Sequence, residues 1–142
     1  MHSHVLVPMD DSEHSRRALE YALENYPEAE ITVLHVVGTP STMMGDATAL
    51  ALEDDPSDGA IKRSEAVFDR AREMAAKQDR ELNTIVDVGH PARKILARAG
   101  EYDALVLGAH DPDWRRATRR FLVGNVAETV SKRAPVSVVL VR

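Results

Sequence analysis

The chain has 142 residues and a formal net charge of −5, and 44% of its residues are hydrophobic, 29% charged and 4% aromatic. This composition predicts one globular domain with an aliphatic core. The lack of cysteine excludes disulfides, thiolate metal sites and thiol catalysis. The acidic balance argues against general nucleic-acid binding, and neither a membrane-spanning run nor a signal-peptide core is found, so we expect a cytoplasmic protein.

The first half predicts two strands, at residues 5–7 and 31–37, with a helix between them. The helix begins after a cap at Asp11 or Ser12, residue types that accept hydrogen bonds from the first backbone N–H groups. Its apolar face is formed by Ala18, Leu19, Ala22 and Leu23. Residues 38–56 then interrupt the spacing with several glycines and prolines. Two interpretations of this stretch stay open, a lid over a ligand and an irregular loop with one short helical turn.

The second half continues the alternation of helices and strands. A helix that begins near Ser57 or Asp58 carries Ile61, Phe68, Ala71 and Ala75 on its predicted core face. Strand three covers residues 84–88, and Pro91 suits the first turn of a third helix that buries Ile95, Leu96 and Ala99. Strand four covers 104–107, helix four about 125–133 and strand five 136–141.

Apolar strands separated by helices predict a doubly wound parallel sheet covered on both faces. We predict the strand order 3-2-1-4-5, in which the direction of winding reverses between strands one and four. Ligands of such sheets bind beyond the carboxyl ends of the strands at this reversal. Asp10 and Gly108 are therefore expected on opposite sides of one crevice, with Val36 nearby.

The last forty residues have the layout of a nucleotide site. Gly108 follows a strand, and Gly124 opens a helix whose N-terminus would suit phosphate. Four arginines lie between the two glycines, and they form either a solvated face or a phosphate contact: Arg115, Arg116, Arg119 and Arg120. Val126, Val130 and the final apolar run are expected in the core or at an interface.

Four segments together resemble the universal stress protein family. They are VLVPMDDSE at 5–13, LHVV at 34–37, GHPA at 89–92 and APV at 134–136. The resemblance covers the whole chain in order, and it implies a single universal stress protein domain over residues 1–142. The implied fold is Rossmann-like, of the adenine nucleotide alpha hydrolase-like type, and relatives often pair through the final strand. We therefore expect a homodimer through the edge formed by Val136, Val138, Val139 and Val141.

The resemblance also implies site residues. In the family, the residues that match Pro8, Asp10 and Val36 surround the adenine and ribose. The family's nucleotide motif has two glycines two residues apart, then nine residues, then a glycine followed by serine or threonine. Gly108 and Gly124 match the outer glycines, and the triphosphate is expected toward residues 124–126, which are Gly124, Asn125 and Val126.

The motif departs from the family pattern at its centre. Asp111 replaces the second glycine, twelve residues separate it from Gly124, and Asn125 replaces the serine or threonine. Asp111 adds negative charge beside the expected phosphates, whereas Asn125 keeps a polar side chain. The predicted function is a small stress-response regulator that binds ATP or another adenine nucleotide, with Mg²⁺ held through water by Asp10 or Asp111. The alternative is a relative that has lost nucleotide binding and acts through contacts with a protein partner.

Other classes fit the sequence less well. A phospho-acceptor receiver domain would use Asp10 and Asp11, but it needs an acceptor aspartate at the end of strand three, and Asp87 lies inside that strand. No lysine or helix follows the final strand either.

No set of metal, base and positioned water suggests a dedicated enzyme, so at most slow ATP hydrolysis is expected. The histidines lack ligand spacing, which argues against zinc, and His35 is expected to form a hydrogen bond at the end of the sheet.

Overall fold

A computed structural model describes residues 4–38, 56–109 and 126–142. Strands and helices alternate along these ranges. They are β1 His4–Pro8, α1 Glu13–Asn25, β2 Glu30–Val37, α2 Pro56–Ala76, β3 Asn83–Val88, α3 Pro91–Ala99, β4 Ala104–Gly108, α4 at the described residues 126–133, and β5 Ser137–Val141. Each predicted boundary lies within two residues of the observed one, and the start of α4 falls at the limit of a described range.

The five strands form one parallel sheet in the order β3-β2-β1-β4-β5. Both the parallel pairing and the strand order predicted from the sequence are therefore confirmed. β1 lies at the centre of the sheet, paired with β2 from His4 opposite Glu30 to Pro8 opposite Leu34. β3 and β5 are the two edge strands.

Two apolar clusters cover the two faces of the sheet. The first packs α1 and α2 on one face, and its members include Val5, Leu19, Val33, Phe68 and Val106. The second packs α3 and α4 on the opposite face, and its members include Leu6, Leu34, Ile95, Leu105 and Val130. Neighbouring residues of one strand enter different clusters because successive side chains of a strand point to opposite faces. The sheet is thus doubly wound, as predicted.

The predicted core is correct in the centre of the sheet and wrong at one position of α2. Ile61 was expected in the core, but 51% of its surface is exposed. α2 has 21 residues and spans about 30 Å, whereas β1, with five residues, spans about 17 Å. Among the described positions of α2 the first buried one is Ser64, so Ile61 precedes the part of the helix that packs on the sheet. Leu96 is half-buried rather than buried.

The C-terminal end of α1 is closed by Arg80, a residue that the sequence analysis did not single out. Its guanidinium donates to the backbone carbonyls of Leu23 at 2.9 Å, Tyr26 at 3.0 Å and Ala29 at 2.8 Å. The last carbonyls of a helix receive no hydrogen bond from within the helix, and they carry partial negative charge. Asp79, the residue before Arg80, adopts a left-handed conformation with φ of 55°.

Gly89 and Pro91 shape the entry to α3 as the sequence suggested. Gly89 has φ of +145°, a region that favours glycine, and its N–H donates to the carbonyl of Val37 at 2.9 Å. Pro91 occupies the first turn of α3. Among the helices in the described ranges, none is long and apolar enough to cross a membrane.

Candidate functional site

The sheet places three of the predicted site residues at the carboxyl ends of neighbouring strands. Pro8 ends β1, Val36 lies near the end of β2, and Gly108 ends β4. The connections from β1 to β3 run over one face, and those from β3 to β5 run over the other. The winding direction therefore reverses between β1 and β4, the position at which sheets of this kind leave a crevice beyond the carboxyl ends of their strands.

Asp10 lies two residues after β1, at this edge of the sheet, and it is exposed. Its Oδ1 accepts a hydrogen bond from the N–H of Ser12 at 2.8 Å and one from the hydroxyl of Ser15 at 3.1 Å. Within the described ranges no group donates to Oδ2. The carboxylate is therefore fixed through one oxygen, and its other oxygen receives no hydrogen bond from the described residues.

The loop between β1 and α1 is ordered by the first turn of the helix. Ser12 is the N-cap, one of the two predicted caps, and its hydroxyl accepts from the N–H of Ser15 at 3.2 Å. Asp11, the other candidate, instead forms an ion pair with Arg70 of α2 at 2.5 Å. The loop is thus attached both to the helix that follows it and to α2.

Opposing influences act on the pKa of Asp10. Desolvation by the surrounding protein raises it, but hydrogen bonds from Ser12 and Ser15 lower it, and the nearby His35 lowers it further. The lowering influences prevail, so the pKa of Asp10 lies below its ordinary value. The group is therefore an anion at neutral pH, although no arginine or lysine is bonded to it in the part of the chain that the structure describes.

His35 of β2 fixes the other side of the same loop. Its Nδ1 lies 2.9 Å from the carbonyl of Met9, and only a protonated nitrogen can donate to that oxygen. The N–H of Met9 in turn donates to the carbonyl of Leu34 at 2.8 Å. The predicted hydrogen bond of His35 at the end of the sheet is confirmed, and it holds the peptide that precedes Asp10.

The backbone of Val36 faces β1 beyond the point where the pairing of β1 with β2 ends. The carbonyl of Leu34 accepts from Met9 on the β1 side, whereas the carbonyl of Val37 accepts from Gly89 on the β3 side. Because backbone groups of a strand alternate between its two neighbours, those of Val36 point toward β1. They meet the crevice next to Asp10, where a ligand could bond them.

Gly108 has a packing role that the sequence did not reveal. A Cβ atom at this position would overlap the backbone carbonyl of His14 and would lie 2.8 Å from the nitrogen of Ser15. Only glycine lets β4 approach the first turn of α1 this closely. The absent side chain is therefore explained by the contact between α1 and β4, and a phosphate contact by the Gly108 backbone stays a prediction.

The remaining predicted site residues lie mostly outside the described ranges. Val126 is half-buried against the second apolar cluster, in agreement with a core role. Asp111, Gly124 and Asn125 fall outside the described residues, as do the four arginines of the loop and most of the 38–56 connection.

Asp87, which lies inside β3 one residue before its end, is engaged in a structural ion pair. Its two oxygens accept from Nε of Arg98 at 2.5 Å and from Nη2 at 2.7 Å. The Arg98 guanidinium, helped by Lys94, holds the pKa of Asp87 below its ordinary value against the effect of burial. Asp87 is therefore a link between β3 and α3.

Metal ligands do not gather at the crevice in the ranges that can be described. There, no group of three or more histidine, aspartate or glutamate side chains is arranged to hold a metal ion. A cation that accompanies phosphates needs fewer protein ligands, because phosphate oxygens and water complete its shell.

Ser15 is the site residue that the sequence analysis missed. It is 5% exposed, and its hydroxyl lies within 3.3 Å of four atoms in the Asp10–Ser12 segment. The signal was present in the spacing Asp10-x-Ser12-x-x-Ser15, which puts both serines in the first turn of a helix. It was overlooked because only apolar positions were used to define the buried face of α1.

The fold is a doubly wound parallel sheet whose winding reverses between β1 and β4. The family model of the universal stress proteins matches residues 1–142, and the chain belongs to this family. It is 28% identical over 151 residues to the universal stress protein YxiE of Bacillus subtilis, with all of both chains covered.

Solved structures show the same fold at low sequence identity. The protein MJ0577 superposes with a TM-score of 0.77 at 21% identity, covering 99% of this chain and 96% of its own. A universal stress protein in complex with cAMP superposes with a TM-score of 0.70 at 22% identity, covering 99% of this chain and 97% of its own. The Archaeoglobus fulgidus universal stress protein in complex with dAMP superposes with a TM-score of 0.69 at 20% identity, covering 100% of this chain and 98% of its own. The chain thus has the adenine nucleotide alpha hydrolase-like fold predicted from the sequence.

Proposed function

We propose that this universal stress protein binds an adenine nucleotide in the crevice between β1 and β4 and acts as a small cytoplasmic regulator in a stress response. The observation that carries the proposal is the Asp10 carboxylate, an anion fixed through Oδ1 whose Oδ2 receives no hydrogen bond from the described residues. An acceptor of this kind suits a sugar hydroxyl. Two structural neighbours have bound adenine nucleotides, cAMP and dAMP.

The proposed mode of binding assigns each part of the nucleotide to one segment. Asp10 accepts from a ribose hydroxyl, Val36 offers backbone groups to the base, and Pro8 lies against the adenine. Phosphates extend from Gly108 toward Gly124, Asn125 and Val126. ATP is the proposed ligand, with Mg²⁺ held through water by Asp10 or Asp111, because carboxylate oxygens suit this ion and it would neutralise phosphate charge.

The direct experiment examines purified protein for bound nucleotide. Protein prepared in nucleotide-free buffer is denatured with acid, and the supernatant is analysed by chromatography. Stripped protein is then titrated with ATP, AMP and GTP by calorimetry. We expect an adenine compound in the extract and 1:1 binding of ATP or AMP but not of GTP. The proposal fails if neither adenine nucleotide binds at millimolar concentration.

The alternative, loss of nucleotide binding and action through a protein partner, is favoured by one sequence observation. Asp111 stands where the family has a glycine. A carboxylate about 4 Å from a phosphate costs about 1–4 kcal/mol, depending on the local dielectric. We expect Asp111→Gly to tighten ATP binding in magnesium-free buffer. Unchanged affinity in the variant would mean that Asp111 does not face the phosphates.

We also propose that the protein forms a homodimer through β5. The outer edge of this strand has no neighbour in the five-stranded sheet, and 45% of Leu140 is exposed there. An unpaired strand edge with apolar side chains favours pairing with a second copy. Sedimentation should give a dimer at micromolar concentration, and Leu140→Lys, at the exposed residue of this strand, should shift it to monomer. A wild type that sediments only as monomer would exclude the dimer.

A further inference from the structure

The hydroxyl of Ser15 is the common contact of the loop that carries Asp10. It lies 2.9 Å from the carbonyl of Asp10, 3.1 Å from its Oδ1 and 3.0 Å from the carbonyl of Ser12. It also accepts from the N–H of Asp10 at 3.3 Å. Three of these four contacts are with Asp10 itself, and because the hydroxyl has one proton, it donates to one of its three neighbouring oxygens at a time. Ser15 thus lies within hydrogen-bond distance of both the backbone and the carboxylate of Asp10.

The position of Ser15 is itself fixed. It is buried in the first turn of α1, where its N–H donates to Ser12 Oγ at 3.2 Å. The close approach of β4 leaves no room behind it, since a Cβ on Gly108 would lie 2.8 Å from its nitrogen. Ser15 is therefore held in place by the contact between α1 and β4, and its hydroxyl contacts the carboxylate of Asp10 from this fixed position.

The chemistry of the contact suits a carboxylate that must remain an acceptor. A hydroxyl fixes one oxygen of Asp10 by a hydrogen bond without adding the positive charge that an arginine would bring. We propose that Ser15 is a positioning residue that holds the Asp10 carboxylate through Oδ1, so that Oδ2 accepts a hydrogen bond from a ribose hydroxyl of the bound nucleotide. This inference rests on the proposed function.

The ligand pair that tests it is AMP and 2′,3′-dideoxy-AMP, because the second lacks both ribose hydroxyls. Calorimetry with Ser15→Ala should show AMP affinity reduced about tenfold, the scale of one hydrogen bond to a charged group. Affinity for the dideoxy compound should stay within about twofold, since it cannot use Asp10. Equal losses for both ligands, or no loss for AMP, would refute the inference.

Two further variants keep the comparison clean. Thr32→Val removes a hydroxyl from another buried residue, one on β2 opposite Asn83 and far from the carboxyl edge, and it should leave both affinities unchanged. If Ser15→Ala folds poorly, Ser15→Cys replaces it, because a thiol has a similar volume but is only a weak donor. Ser15→Cys should likewise weaken binding of AMP and not of the dideoxy compound. A cysteine variant that binds AMP as the wild type does would contradict a role for the hydroxyl.

A ligand-free measurement separates this inference from the proposed function. In a carboxyl ¹³C titration, Ser15→Ala should raise the pKa of Asp10, because a donor to the ionised form is lost. His35 from β2 and the pair formed by Asp11 with Arg70 of α2 remain in both proteins, so their effects cancel. If the wild type binds no adenine nucleotide, the proposed function and the ribose contact fall together. If the pKa of Asp10 were the same in Ser15→Ala and in the wild type, the hydrogen bond from Ser15 to the Asp10 carboxylate would also be excluded.

Discussion

Asp10 and Asp87 lie near the carboxyl ends of β1 and β3, and the pKa of each lies below its ordinary value, but different partners cause the shifts. Asp87 gives both oxygens to the guanidinium of Arg98, and its side chain is only 16% exposed. Asp10 gives one oxygen to an amide and a hydroxyl, and it lies on the surface of the crevice.

The difference separates a structural carboxylate from one that is available to a ligand. An arginine that binds both oxygens neutralises the charge and satisfies the acceptors, so nothing remains to recognise a second molecule. Neutral donors to one oxygen fix the geometry but leave both charge and acceptor capacity. If this comparison is correct, changes at Asp87 affect the free energy of unfolding, and changes at Asp10 affect binding.

The largest expected effect is at the Asp87–Arg98 pair. Arg98→Met removes two charge-assisted hydrogen bonds and leaves a half-buried carboxylate without its partner, so the free energy of unfolding should fall by about 2–3 kcal/mol. Urea unfolding measures the loss, and AMP affinity should not change. A double-mutant cycle with Asp87→Ala isolates the pair, and a coupling energy near zero would contradict its structural role.

Arg80 extends the comparison to a cation whose bonds are all internal. Arg80→Ala removes three bonds, to the carbonyl of Leu23 in α1 and to those of Tyr26 and Ala29 in the connection that follows it. Water can partly replace these bonds, so we expect a loss of about 1–2 kcal/mol. Arg80→Lys, with a single ammonium, should recover only part of it. Thermal unfolding measures both variants. If Arg80→Ala were as stable as the wild type, the bonds of Arg80 would not stabilise the end of α1.

The pH dependence of stability gives a smaller effect. Because the folded pKa of Asp87 is lowered, the pair contributes its full stability above the unfolded pKa of about 3.9 and loses it as pH falls through the folded value. Arg98→Met should therefore lose less stability than the wild type between about pH 5 and pH 2. Parallel curves for the two proteins in acid-titrated urea unfolding would contradict the assignment.

The smallest expected change in stability is at Asp10. Asp10→Asn keeps an oxygen that accepts from Ser12 and Ser15, so the free energy of unfolding should change by less than about 1 kcal/mol. Urea unfolding beside Arg98→Met provides the direct contrast. A loss at Asp10 as large as that at Arg98 would remove the distinction between the two carboxylates.

Most of the fold followed from local pattern, because parallel strands buried on both faces must be continuous apolar runs. Ile61 was misplaced because periodicity does not indicate where along a helix its packing on the sheet begins. Arg80 was missed because its acceptors are backbone carbonyls, which leave no mark in a sequence.

At the site, the location of Asp10 followed from strand order, whereas the contacts that define its chemistry did not. The packing role of Gly108 depends on how closely β4 approaches α1, a tertiary distance that no spacing encodes. Ser15 could have been found from its place three residues after the N-cap, since side chains there reach back to the residues before the helix.

The central claim is that the open oxygen of Asp10 binds the ribose of an adenine nucleotide, and calorimetric titration of the wild type and Asp10→Asn with AMP tests it most directly. We predict 1:1 binding by the wild type and an affinity at least about tenfold lower in Asp10→Asn, whose amide keeps the shape but loses the charge. Equal affinities for the two proteins, or no binding of AMP by the wild type, would contradict the claim.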